Sequence, residues 1–275
     1  MAILRDIKAG IQRIRTVVAS LAIILCQSEF SIAACILPVE NPSNAHWSLW
    51  ADVLNAKAQK SLNKAISEVQ DIETTGVGNV NLDFYSLTFN ANGKSPEQWL
   101  TVFRKELDRY IYKDTSYSVG AFDDESERLW NSDRPLGAIL VFNLSQLLGV
   151  PFERGAVVVS CVDSTSFIFS TVSIHGTLNP GDHPVSGNRG FGFVKNLDGS
   201  INFFTKAADR LKGNNNTFKA IGSERTFSLG AEVWNRLLDN LMNEMAAWKP
   251  RNRVAYRRVE PYPNPLSAPT NLQVR

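Results

Sequence analysis

Residues Asn188–Lys206 read NRGFGFVKNLDGSINFFTK, and this run decides the fold. Asn196-Leu197-Asp198-Gly199 is a strong turn signal, because Asn, Asp and Gly accept the backbone angles of a tight reversal. The flanks, Asn188 to Val194 and Ser200 to Lys206, are rich in aromatic residues and predict the two strands of an antiparallel hairpin. Alternation puts Phe191 and Phe193 on one face of it. Phe203 and Phe204 are neighbours and must face opposite ways, so one of them leaves the main core.

More strands precede the hairpin. Ala138–Leu144, Ala156–Val162 and Phe167–Ser173 are rich in branched and aromatic residues, and Asp163–Ser166 predicts a turn between the last two. Val80–Phe89 (VNLDFYSLTF) alternates at Val80, Leu82 and Phe84, with a slip expected near Tyr85. After the hairpin, Ser228 is placed to cap a helix. Leu229, Val233, Trp234, Leu237, Leu238, Leu241, Met242, Met245 and Trp248 give it a wide apolar stripe, and Pro250 ends it. Such a stripe must lie against something large, and the strands before it are the partner. The expected class is α+β: a curved antiparallel sheet packed against a long C-terminal helix, with N-terminal helices.

Those N-terminal helices are two. Asn44–Asp71 carries Trp47, Leu54, Ala58, Leu62, Ile66 and Val69 at helical spacing, and Gly76 and Gly78 break it. Ser95-Pro96-Glu97-Gln98 starts another, running to about Tyr112: Ser caps, Pro fits the first position and Gln closes a capping box. It should bury Trp99, Leu100, Phe103, Leu107, Tyr110 and Ile111. Pro261, Pro263, Pro265 and Pro269 exclude a regular helix and predict an extended tail over residues 251–275. The expected organisation is a signal over 1–34, one domain over 35–250 and this tail.

Three features together suggest a family. They are Pro180-Gly181-Asp182-His183-Pro184-Val185-Ser186-Gly187 before an aromatic strand, Asp198-Gly199-Ser200-Ile201-Asn202-Phe203 after the turn, and the terminal amphipathic helix. Residues 136–248 in this way resemble the helix-grip (START-like, polyketide-cyclase-like) superfamily. The resemblance implies a cavity between sheet and helix that holds an apolar ligand. It implies no fixed catalytic set, because that superfamily has none.

The first 34 residues read as an export signal. Arg5, Lys8, Arg13 and Arg15 are followed by the apolar run Thr16–Cys26, too short to span a bilayer comfortably, and then by small residues up to Ala34. An ordinary buried helix is the plainer alternative. Ile32-Ala33-Ala34-Cys35 also resembles a lipoprotein box, which would attach the protein to a membrane through a diacylglycerol on Cys35. Removing the segment takes four of 29 Lys and Arg and two of 27 Asp and Glu, leaving 25 of each. A neutral chain without a basic stripe is not expected to bind nucleic acid. Cys35 and Cys161 then remain as one candidate disulfide, plausible in an oxidising compartment.

Little else carries chemistry. The chain has no P-loop, no G-x-S-x-G, no H-E-x-x-H and no Cys-x-x-Cys. His46, His175 and His183 are its three histidines. His175 and His183 with Asp182 could converge on zinc, but irregular loop spacing is weak support, and neither metal nor cofactor is expected. Cys161 with His175 would need a stabilised thiolate, whereas mid-strand Cys161 reads as inert or as half of a disulfide. Arg189, between glycines, presents a donor fork for carboxylate or phosphate; the plainer reading is a salt bridge to Asp209 or Asp182. Arg210 has the same two readings.

The expected function is an exported protein binding an apolar small molecule or lipid between sheet and helix, through Arg189, Phe191, Phe193, Phe203 and Trp234. Two other readings stand beside it. One is a secreted hydrolase or toxin using His183, Asp182 and Arg189 as catalytic residues. The other is an envelope interaction protein tethered by its Pro-rich tail.

Overall fold

The computed structural model describes residues 35, 60–112, 119–143, 154–175, 183–213 and 222–262. The chain divides between Ala33 and Ala34, and every described residue lies in the second unit. The expected signal, and most of the expected tail, lie outside the described residues.

Nine strands form one antiparallel sheet: β1 (Ile66–Val69), β2 (Gly76–Phe89), β3 (Val119–Ala121), β4 (Ile139–Asn143), β5 (Arg154–Val162), β6 (Ser166–Ile174), β7 (Val185–Lys195), β8 (Ile201–Lys212) and β9 (Arg251–Glu260). The helices are α1 (Pro96–Lys105), α2 (Leu107–Tyr112), α3 (Asp124–Asn131) and α4 (Ser223–Glu244). Strand order is β3-β4-β5-β6-β7-β8-β2-β9, with β1 also on β6. The class is thus α+β, with a 22-residue helix near the C-terminus.

The two predicted hairpins form where their turn residues require. In the β5–β6 turn, Asp163 Oδ1 accepts from the Thr165 and Ser166 amides. In the β7–β8 turn, Gly199 takes φ 80°, and the Asn196 amide donates to the Ser200 carbonyl. Phe193 pairs with Phe203, so Phe191, Phe193 and Phe203 share one face while Phe204 lies on the other.

Near Tyr85, where a slip is expected, the β2–β8 register runs unbroken while the β2–β9 register shifts between Ser86 and Thr88. Both faces of β2 are buried, so its apolar residues change from one face to the other at Tyr85 without ending the strand. Val80, Leu82 and Phe84 enter one cluster, and Tyr85, Leu87 and Phe89 enter the helix-side core. The capping box at Ser95 and Gln98 forms, but Glu106 divides the expected helix into α1 and α2. α4 starts at Ser223, one and a half turns before the expected cap at Ser228, because Thr226 and Phe227 join the buried face.

Two expectations are overturned. The predicted helix over 44–71 falls partly outside the described residues, yet Ile66–Val69 is a strand paired with β6. The side chain of Asn63 caps the Ala65 amide in a turn, and Ile66 is then buried among Ile139, Val158 and Val172. Residues 251–260, expected as part of an extended tail outside the domain, are extended but form β9 against β2 within the sheet. Arg251, Arg253, Arg257 and Arg258 are the charged residues that suit an edge strand, and the prolines lie beyond it.

α1 and the second half of α4 fill the apolar end of the helix-side face. Phe103 meets Phe203 at 4.9 Å and Phe191 and Phe193 at 5.7 Å, centroid to centroid. Each such pair contributes about 0.5–1.5 kcal/mol beyond burial. Among the described residues no helix is long and apolar enough to cross a membrane.

Candidate functional site

The helix-facing row of β2 runs Asn81, Asp83, Tyr85, Leu87, Phe89, so its first two positions are polar and the rest apolar. The first half of α4 covers that polar end, and a cavity of about 140 Å³ lies between them. Its walls are Phe142, Val157 and Phe169 from the sheet and Phe227, Val233 and Trp234 from α4. Asn81, Asp83, Arg189 and Asp209 also line it. Gly230 keeps it open: a Cβ added there would meet nothing within 4 Å. Glycine inside a helix costs about 1 kcal/mol relative to alanine, so this vacancy carries a stability cost.

The polar end is a connected network. Arg189 Nη2 donates to both oxygens of Asp83, at 2.6 and 2.8 Å, and Nη1 to Thr205 Oγ1 at 3.3 Å. The guanidinium lies 3.9 Å from the Trp234 ring centroid. Asn81 Nδ2 donates to Asp83 Oδ2 at 3.3 Å and to Asp209 Oδ1 at 3.5 Å. Burial raises the Asp83 carboxyl despite Arg189. Burial first, then repulsion from Asp83, push Asp209 up to about 8. Gly187 makes room here, since a Cβ on it would come within 2.2 Å of the Ala208 carbonyl and 2.9 Å of Asp209 Cβ.

His183 also lines the cavity, but the fold holds it as a structural residue. Its amide and carbonyl both bond the Gln70 side chain at 2.9 Å. The Cδ2–Nε2 edge of its ring lies against Gly155, where any Cβ would clash at 2.3 Å. Burial lowers its pKa to about 4, which makes it a weak base. The two hydroxyls of the lining are likewise taken: Thr226 donates to the Gly222 carbonyl, and Thr171 accepts from the Gly187 amide.

The expected site is thereby redistributed. Arg189 and Trp234 reach the cavity together. Phe191, Phe193 and Phe203 do not line it; they are packed in the core beneath α1 and α4. Asp182 lies outside the described residues. His175 is exposed at the end of β6, and the described residues hold no group of three or more metal-ligating side chains. Arg210 is on the opposite face, bonding the Ile72 and Gly78 carbonyls and stacking on Tyr262. Cys35 and Cys161 form a disulfide, and the Cys35 amide donates to Asp163 Oδ2 at 2.7 Å. Asn81, Asp83, Asp209 and Gly230 were not singled out as ligand residues. Their signal was the polar pair interrupting an otherwise apolar strand, and a glycine on the apolar stripe of a helix.

No family model matches the chain, and no curated protein matches it. Among solved structures it is similar to DR_A0006 from Deinococcus radiodurans, with 10% identity and a TM-score of 0.32; the match covers 61% of this chain and 95% of that one. It is also similar to Ms6760 from Mycobacterium smegmatis, with 13% identity and a TM-score of 0.37, covering 66% and 98%. These values are too low to carry a functional argument.

Proposed function

We propose that this is an exported protein of helix-grip type, its sheet curving around α4, that binds a small apolar molecule in the cavity beneath that helix. The cavity and its glycine-opened roof carry the reading: an apolar cavity of about 150 Å³ suffices for one benzene ring. A long acyl chain needs far more, which narrows the expected ligand from lipid to a single-ring or short-chain compound. Export is supported by the basic-then-apolar order before Ala34 and by the Cys35–Cys161 disulfide, a bond favoured in oxidising compartments. That disulfide uses the sulfur a diacylglycerol would occupy, so disulfide and membrane attachment through Cys35 exclude one another.

Calorimetric titration tests the binding. Toluene is expected to bind saturably with one site per chain, and palmitate is not. Heat from palmitate alone would overturn the size argument, and silence from both would overturn the reading itself. Mass spectrometry of the exported protein is expected to give a chain beginning at Cys35, with one disulfide and no lipid.

A further inference from the structure

We propose that the ligand of this cavity carries a cationic amine on its apolar body, bound by Asp209 and the Oδ1 of Asn81. The inference rests on the cavity being a ligand site. Three observations carry it. Asn81 is 2% exposed and lines the cavity, and its Oδ1 has no partner among the described residues. Both of its donor hydrogens are already directed at carboxylates, so the unused capacity is an acceptor.

Asp209 is the second acceptor. It is buried, lines the cavity and makes no ion pair among the described residues. The charged groups around it are accounted for. Arg189 on β7 is committed to Asp83 on β2. Arg257 on β9 is committed to Glu224 and Ser228 of α4. His183 is held by Val185 and Gln70, and the α4 side chains that line the cavity are uncharged. A carboxylate ligand would find no free cation here, since Arg189 is paired with Asp83 and Arg257 with Glu224. An ammonium brings the donors and the charge that the site lacks, and an opposite charge within hydrogen-bond reach favours the ionised carboxylate.

The chemistry balances as a proton release. At neutral pH the buried Asp209 is largely protonated; the arriving ammonium displaces that proton to solvent and pairs with the carboxylate. Affinity for the amine should therefore rise with pH up to about 8 and then level, while the amine remains protonated.

Three probes on the purified protein decide it: toluene, benzylammonium and benzoate, titrated calorimetrically at pH 6 and 8. Benzylammonium is expected to bind at least tenfold tighter than toluene at pH 8, with proton release, and benzoate is not expected to bind. Asp209→Asn keeps the shape; it should weaken benzylammonium at least tenfold and change toluene less than threefold. Toluene binding equal to or tighter than benzylammonium overturns the amine proposal and leaves the cavity reading intact. Equal loss of both ligands in Asp209→Asn also overturns it, since a merely structural role would act on both. Binding of none of the probes overturns both readings.

Discussion

At Asp209 the fold holds a carboxyl where it is costly to ionise. Asp209 is pushed up from an ordinary value of 3.8 to about 8, chiefly by burial. A raised carboxyl contributes its stability below pH 4 and loses it as pH rises to 8. His183, lowered from 6.5 to about 4, acts oppositely: its stability is lost as pH falls from 6.5 to 4. The two slopes oppose one another below pH 6.5, and Asp209 dominates between 6.5 and 8. Urea melts of the free protein should show stability falling across that upper window, and Asp209→Asn should lessen the fall, since the neighbouring Asp83 carboxyl is raised as well. A wild-type curve rising from pH 6.5 to 8 would contradict the assignment. Arg189→Ala leaves Asp83 buried without its cation and should cost about 3–5 kcal/mol. Such a loss marks Arg189 as a scaffold for the site; a stable variant would return it to the candidate reactive groups. That Arg189 would be paired was readable from its chain neighbours, but its partner was not, because Asp83 is 106 residues away and meets it only through the β7–β8–β2 register.

Among the elements, those with local causes were the legible ones. The Asn196–Gly199 turn, the Ser95 capping box and the stripe of α4 each depend on residues within a few positions, and each formed. β1 and β9 depend on distant partners. Ile66 and Val69 have spacing that suits a helix or a short strand, and β6 decides between them. The basic run Arg251–Arg258 resembles a solvated tail until β2 offers an edge. If the tail were a dispensable tether, truncation after Lys249 would leave the fold intact. With β9 paired along Val80–Thr88, that truncation should instead lower the melting temperature by at least about 10 °C, followed by circular dichroism. An unchanged melt would mean that β9 contributes nothing to the sheet.

For the whole molecule, the layer order was visible in the sequence; a cavity was only what the resemblance implies, and its polar lining was not legible. A wide helical stripe after paired strands announces helix on sheet. A cavity is made by what is missing, here a side chain at Gly230 and apolar residues at Asn81 and Asp83. The Cys35–Cys161 bond ties residue 35 to the β5–β6 hairpin across 126 positions. Closing a loop of that length contributes about 2–5 kcal/mol, so melts with reductant should be lower by that amount, and Cys161→Ala should reproduce the loss. Insensitivity to reductant would count against the bond.

The most direct measurement of the central claim is toluene titration of the native protein beside Gly230→Leu. The leucine fills open space and improves helix propensity by about 1 kcal/mol. The account predicts saturable binding by the native protein and none by Gly230→Leu, with a melting temperature equal or higher. Undiminished binding by the filled variant would place the ligand elsewhere and contradict it.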